Sequence, residues 1–515
     1  MLNHHSHPCR REAAQASTRV AAALFALACS LTLAACGGGG DRDRAPVRSG
    51  FPPLTPPADL DVPPVTIAVD GNISDWPFEH AAVADEHYLY LRFQADRVVT
   101  LQANDEALMI QLDADADPDT GRRDGALGID LTITFSPIEQ DGSTRGGTRI
   151  EVIDRNGTAT AIPAAALDIT IAPTHASDWF EIRVARRIAS AGVLPNSGLL
   201  SAGAVAGRVV LFDTRGRPVA AAEPFRLDVV PAAFTAPLDA ILVPERSLDS
   251  VRIVAYNVLN NAPDTAPEPF SRMFRAMDPD IVLVQEWYDK PAEQLAEWFN
   301  TNLPIDGSWS AVTSQGRGVA VVSRYELQPL GPPAVTIRPE DEARTVRLAA
   351  ALVDTPVGII AAASVHLKCC GGLDSREDTI RTAEAHAIAK ALDQALEGIG
   401  PHARVIGGDY NLVGGTAPLR AITKDMDLDG SDLDIAEPYV LGDPTLYTWT
   451  DARSRFLPGR LDYIVYSGAN LTAERAFVFD PARLDASALD AMNLDVLDAR
   501  QSDHRPIVID VQAEN

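Results

Sequence analysis

The sequence predicts an α/β four-layer sandwich over residues 250–513, preceded by an all-β sandwich over 63–232 and a linker at 233–249. Three observations predict it. The chain has 515 residues, too many for one ordinary core, so two folded domains are expected. The second half holds six apolar runs, each meeting a polar residue at one end, as strands buried on both faces do. The first half alternates short apolar and polar stretches between turn residues, with few helical periods.

The six runs come in order. Residues 251–258 are apolar and end at Asn257, which also reads as a turn-forming Asn. Residues 280–286 repeat the pattern and end at Glu286. The run 358–365 delivers His366. The run 404–411 closes as Gly407-Gly408-Asp409-Tyr410-Asn411. Its glycines let backbone approach a ligand, and Asp409 and Asn411, two apart, are expected to face one side of a strand. The run 461–467 contains Asp462, and 507–511 follows His504. Residues 376–396 carry helical spacing, with Arg381 and Glu384 read as packing or solvated-face positions.

Ser502-Asp503-His504-Arg505-Pro506 and Arg460-Leu461-Asp462-Tyr463-Ile464 carry the chemistry. A His beside one carboxylate, with a second to orient it, is the minimum equipment for metal-assisted phosphate ester hydrolysis. Imidazole moves protons near neutral pH. Asp503 suits a divalent cation or the far ring nitrogen, and Asp462 suits the fixing of the tautomer. Alone, an Asp-His pair reads equally as a surface network. Strand ends, however, offer rigid, convergent positions for ligands.

In the order Asn, Glu, His, Asp-x-Asn, Asp, Asp-His, residues 250–511 resemble the endonuclease/exonuclease/phosphatase superfamily, with its deoxyribonuclease I-like fold. The run 318–325, with Ser323-Arg324, and Thr448-Trp449 ahead of Asp462 fit the same pattern. The resemblance implies that Glu286 is the principal ligand of Mg2+ or Mn2+, supported by Asn257 and Asp503. It implies that Asp409 and Asn411 address the nucleophilic water and the phosphoryl oxygens, that Asp462 orients His504, and that His366 is a second catalytic His. Whether His504 or Asp409 is the base stays open, as does the role of His366. A His at 366 points to the deoxyribonuclease I, sphingomyelinase or inositol phosphatase side of the superfamily. The implied substrate is a phosphate ester, with a phosphodiester of nucleic acid or a phospholipid head group leading. A phosphomonoesterase on a soluble phosphate is the enzyme alternative, and a non-catalytic glycan-binding surface protein is the alternative outside enzymes.

Residues 1–35 carry Arg10, Arg11 and Arg19 before an apolar stretch that closes on Leu33-Ala34-Ala35-Cys36. This resembles a bacterial lipoprotein signal, with Cys36 as the lipidated N-terminus and membrane attachment through it. An ordinary secretory signal or short anchor is the alternative. Gly37–Gly40 and the Pro-rich run in 36–62 read as a flexible tether. Gly37 after Cys36 suggests outer-membrane sorting by analogy, hence an envelope location. The formal net charge is −27, and loss of the leader's three Arg and one Glu makes the mature chain two units more negative. Such a surface disfavours non-specific capture of polyanions.

Only Cys369 and Cys370 follow Cys36. A vicinal disulfide is expected in an oxidising compartment, with free thiols or metal ligation beside His366 as alternatives. Val69-Asp70-Gly71-Asn72-Ile73-Ser74-Asp75-Trp76, Leu112-Asp113 to Thr120-Gly121 and Trp179-Phe180-Glu181-Ile182 resemble family 9 carbohydrate-binding-module-like sandwiches. That resemblance implies glycan binding, with a spacer role as the alternative. Asp113, Asp115, Asp117 and Asp119 invite Ca2+, yet Pro118 and Asp124 fail the EF-hand pattern, leaving a non-EF calcium loop or a solvated acidic turn. Asp425, Asp427 and Asp429 with Gly430 read as a surface loop, with a calcium site as the alternative, although Ala436 stands at the twelfth position.

Overall fold

The apolar runs of the second half pair into two mixed sheets of seven and six strands. In the first, β1 (Val251–Asn257) and β2 (Ile281–Gln285) run parallel. In the second, β3 (Gly358–His366) and β4 (Ala403–Asp409) run parallel, and β5 (Asp462–Tyr466) lies antiparallel on β4. β6 (Ile507–Ala513) lies antiparallel on β1 in the first sheet. The computed structural model describes residues 67–514, except 78–80, 188–198, 202, 223, 234–239, 315 and 332–333. The leader 1–35, Cys36 and the tether to residue 62 lie outside the described residues.

Alternation along each strand sorts side chains into layers. Val251, Ile253 and Leu283 of the first sheet meet Ala362, Val405 and Ile464 of the second in a shared apolar core. Val254 and Tyr256 point the other way, onto Phe270 and Phe274 of the Pro267–Met277 helix. The Arg376–Ala395 helix covers the second sheet, packing Ile388 and Leu392 with Ala361 and Ile406. The order is helix, sheet, sheet, helix.

Register brings the polar ends together. Asn257 is level with Gln285 in the first sheet. His366 is level with Asp409, and Asp409 with Asp462, in the second. Both sheets therefore end at one edge of the sandwich.

The first half forms two antiparallel sheets of four and seven strands. Leu91, Phe93, Phe180 and Ile182 of one sheet pack on Ile110, Leu112 and Ile133 of the other. Among the described residues, its only helices are two three-residue 3-10 turns.

This two-sheet region is docked onto the second half, within one compact unit. Leu457, from the second half, is buried in the apolar cluster of the first. Arg183 donates to Asp443 through both terminal nitrogens, with Nη2 to Oδ2 at 2.7 Å, and both side chains are buried. Arg483 returns a second bidentate pair to Asp168 at 2.6 and 2.7 Å. Val69 N–H donates to Pro444 O at 2.9 Å, and Leu446 N–H to Val69 O at 3.2 Å.

Candidate active site

β1 places Asn257 at the floor of the joint edge, fully buried. Its Nδ2 donates to Asp409 Oδ2 at 3.0 Å and to Glu286 Oε1 at 3.2 Å, and lies 3.4 Å from His504 Nε2. One amide thus ties together residues from three different strands or loops.

Glu286 follows β2 with φ +63°. A non-glycine residue in the left-handed region stores strain that the surrounding fold must hold. The turn over it does so: Asn261 N–H donates to Glu286 O at 2.9 Å and Asn260 N–H to Oε2 at 3.1 Å. Its side chain remains 17% exposed, facing the cleft.

His366 ends β3 and Asp409 ends β4, with His366 Nε2 3.4 Å from Asp409 Oδ2. Arg347 Nη1 lies 3.1 Å from His366 Nδ1. A guanidinium only donates, so Nδ1 accepts and the ring proton of neutral His366 sits on Nε2, toward Asp409. Burial, then the charges of Arg347, His504 and Lys368, hold His366 well below the usual imidazole range. Burial raises the Asp409 carboxyl, opposed by the His504 charge.

Asp462 opens β5, and its Oδ2 accepts from Thr448 Oγ1 at 2.6 Å and lies 2.8 Å from His504 Nδ1. His504 Nε2 faces Asp409 Oδ2 at 3.7 Å. Burial works against the imidazolium, but Asp462 and Asp409 outweigh it and raise His504 to about 10. Asp503 Oδ2 accepts from Trp449 Nε1 at 3.0 Å, while its Oδ1 is buried with no hydrogen-bond partner.

Asn411 corrects one expectation. β4 stops at Asp409, and Asn411 reaches the cleft through a left-handed turn at φ +48°, not by strand alternation. Its backbone N–H donates to Asp409 Oδ1 at 2.8 Å and its Nδ2 to Leu367 O at 3.2 Å. The carboxylate of Asp409 itself bends the chain, as Asx turns do.

Glu286, His366, Asp409, Asn411, Asp503 and His504 line one cleft of about 530 Å³, with Asn257 and Asp462 bonded to its lining from beneath. Sequence reasoning missed Arg347, Tyr288 and the cleft residues of the first half, Thr100, Gln102, Ala103 and Thr174. No motif marks them, since an Arg inside an ordinary strand-like stretch and short polar loop residues have many uses.

Arg381 and Glu384 are buried rather than on a solvated face. Arg381 Nε donates to Lys368 O at 3.1 Å, and Lys368 N–H donates to Glu384 Oε2 at 2.7 Å. They hold the loop that leaves His366. The Cys370 thiol donates to Cys369 Sγ at 2.9 Å, beyond disulfide bonding distance, so the two sulfurs are not joined as the expected vicinal disulfide. Cys370 sits at φ +72°.

In the first half, Asp113, Asp115 and Asp130 bring carboxylate oxygens within 4.8 Å of one another. Asp130 was not anticipated, and Asp117 and Asp119 are not in this group. These carboxylates cap their own loop, accepting from Ala114, Asp117 and Gly128 N–H groups. Asp427, read as part of a surface loop, is buried and accepts from Ala469 N–H at 3.1 Å.

A hard divalent cation takes carboxylate oxygens. The orphaned Asp503 Oδ1 and the cleft-facing Glu286 fit such an ion. Glu286, His366 and Asp409 also bring ligand atoms within 4.8 Å of one another. His366 Nε2, carrying its proton, is not free to ligate in that state.

A buried His–carboxylate pair, a second His and clustered carboxylates at the joint edge of two sheets define a class: an enzyme domain that hydrolyses phosphoric esters with a divalent metal. Residues 254–504 match the Endonuclease/Exonuclease/phosphatase family. Solved structures of similar architecture include an endonuclease/exonuclease/phosphatase from Bacteroides vulgatus, at 16% identity and TM-score 0.36, covering 52% of this chain and 99% of that one. A 3'-5' exonuclease from Neisseria meningitidis is 18% identical at TM-score 0.34, covering 51% and 100%. An AP endonuclease from Archaeoglobus fulgidus is 16% identical at TM-score 0.32, covering 50% and 98%. No curated protein matches the chain by sequence.

Proposed function

We propose that this protein is a metal-dependent phosphodiesterase of the bacterial cell envelope, held to a membrane by lipid on Cys36. The observation that carries the chemistry is the His504–Asp462 pair at 2.8 Å, facing Asp409 across the floor built by Asn257. Glu286 and Asp503, supported by Asn257, would hold Mg2+ or Mn2+, which supplies charge to polarise the phosphoryl group when bound.

The chain's own residues divide the rest. Asp409, raised by burial, takes the proton of the attacking water. His504, held as imidazolium by Asp462, donates to the phosphoryl oxygen where charge develops. Neutral His366 donates its Nε2 proton as a hydrogen bond to the phosphate, positioned by Arg347. Asn411 orients the ester from the cleft wall.

The two packed sheets of the first half are read as a carbohydrate-binding-module-like sandwich, with the Asp113 cluster as its candidate Ca2+ loop. The leader pattern supports the envelope location.

The test is a panel on the full chain with added Mg2+ or Mn2+ and an EDTA control. The substrates are plasmid DNA, RNA, sphingomyelin, bis-p-nitrophenyl phosphate and inositol phosphates. Metal-dependent cleavage of a diester supports the reading. Cleavage of monoesters alone replaces it with a phosphomonoesterase, and no turnover at all leaves the glycan-binding alternative.

A further inference from the structure

The first half does not stand apart from the cleft. Its loop after the Tyr88–Val99 strand and its loop after the Ile169–Ala172 strand supply one wall, through Thr100, Gln102, Ala103 and Thr174. The wall is bonded to the catalytic rim at three points. Leu373 N–H donates to Thr100 Oγ1 at 2.9 Å, Leu457 N–H to Gln102 Oε1 at 2.8 Å, and Arg460 N–H to Thr174 Oγ1 at 2.7 Å. The approach is so close that a Cβ at Gly372 would stand 2.4 Å from Ala103 O.

We infer that the N-terminal two-sheet region is a built-in wall of the catalytic cleft, and that it confines the substrate to a compact phosphodiester with one small, flat or apolar arm. This rests on the phosphodiesterase reading above and narrows its substrate. Three features agree. The cleft volume of about 530 Å³ is of small-ligand size. Arg347 is the one Lys or Arg among the described lining residues, whereas duplex binding relies on many cationic contacts to phosphates. The lining also holds apolar and aromatic side chains, Trp449, Phe456, Leu457 and Val413, which offer a face for one arm of the ester.

The wall also steadies the machinery. Leu457 is buried in the core of the first half, and its loop leads back to Trp449, which donates to Asp503 and pairs by backbone with His504. A lipid head group and a short nucleotide end share the required chemistry, and the substrate arms below separate them.

The experiment measures kcat and KM of the full chain with Mg2+ on bis-p-nitrophenyl phosphate, a dinucleotide, sphingomyelin and supercoiled plasmid. Gln102→Ala and Phe456→Ala are compared with wild type, and melting curves check folding. Wild type should cleave at least one compact diester and leave plasmid nearly intact. Each variant should raise KM for the compact ester roughly two- to tenfold, about the worth of one contact, with kcat changing less than KM. If Gln102→Ala does not fold, Thr174→Val, which removes another first-half group bonded to the rim, carries the wall reading, while Phe456→Ala, at an exposed rim position of the second half, tests the apolar face. Plasmid nicked by wild type as readily as the compact esters overturns the wall. So does an unchanged KM in the folded variants, and if Glu286→Gln then abolishes turnover, the phosphodiesterase reading survives alone. No turnover of any ester by wild type overturns both.

Discussion

Asp462 Oδ2 lies 2.8 Å from His504 Nδ1, although Asp462 opens a strand of one sheet and His504 stands just ahead of a strand, Ile507–Ala513, of the other. Thr448 Oγ1 donates to the same carboxylate oxygen at 2.6 Å and accepts from Asp462 N–H at 2.9 Å, so the carboxylate cannot swing away. His504 is therefore oriented, and stays charged through neutral pH.

Asp462→Asn keeps the shape and removes the charge. If His504 acts as imidazolium, turnover should fall on the order of 10²–10⁴-fold. On the alkaline side, wild-type activity should decline as pH rises through about 10, and this limb should begin at lower pH in the variant. The raised pKa also adds stability that is full below the unfolded value and lost as pH rises through the folded one. The melting difference between wild type and variant should accordingly narrow at high pH. A pH–rate profile with no shift would remove His504 from the charged role.

Glu286→Ala should abolish metal-dependent turnover with little change in melting temperature, since the side chain faces the cleft and anchors no apolar core. Titration with Mg2+ checks it, and near-wild-type rates at saturating metal would exclude Glu286 as a ligand.

Arg347→Met removes the donor to His366 Nδ1. Burial of the ring remains, but one of the charges that depress it is gone, so the His366 pKa should move up in an NMR titration of the ring protons. Turnover should fall roughly 10- to 100-fold, the usual worth of a group that orients an active-site ligand.

Arg183→Met removes the bidentate partner of buried Asp443 and leaves it with Arg483 Nε at 3.3 Å. Stability in urea should drop by about 1–3 kcal/mol, the worth of charge-assisted hydrogen bonds lost at a buried carboxylate, and the double variant Arg183→Met/Asp443→Leu should recover most of it. If the single variant melts like wild type, the two halves are not held by this pair.

Cys36→Ser tests the envelope anchor. The protein should leave the membrane fraction or keep its leader, and unchanged fractionation would reject lipidation at Cys36.

The order Asn257, Glu286, His366, Asp409, Asp462, His504 was legible in the sequence because each stands at or beside the end of an apolar run. A strand buried on both faces has little choice of where its polar end emerges. The four layers followed from the same runs, since two sheets with apolar faces on both sides need a partner on each. Local pattern also placed the Arg376–Ala395 helix within a residue or so of its observed bounds.

Tertiary structure alone decided the rest. Asn411 enters the cleft because a side-chain bond from Asp409 turns the backbone, an event no strand period encodes. Arg381 and Glu384 read as ordinary helix positions until the loop after His366 folds over them and takes up their charges. Arg347, Gln102 and Thr174 carry no motif, and their place at the cleft depends on how two sheets meet two others. Periodicity reports which face of an element is buried, because burial repeats along the chain. It is silent on which distant element does the burying, because that contact is made once, between residues hundreds of positions apart.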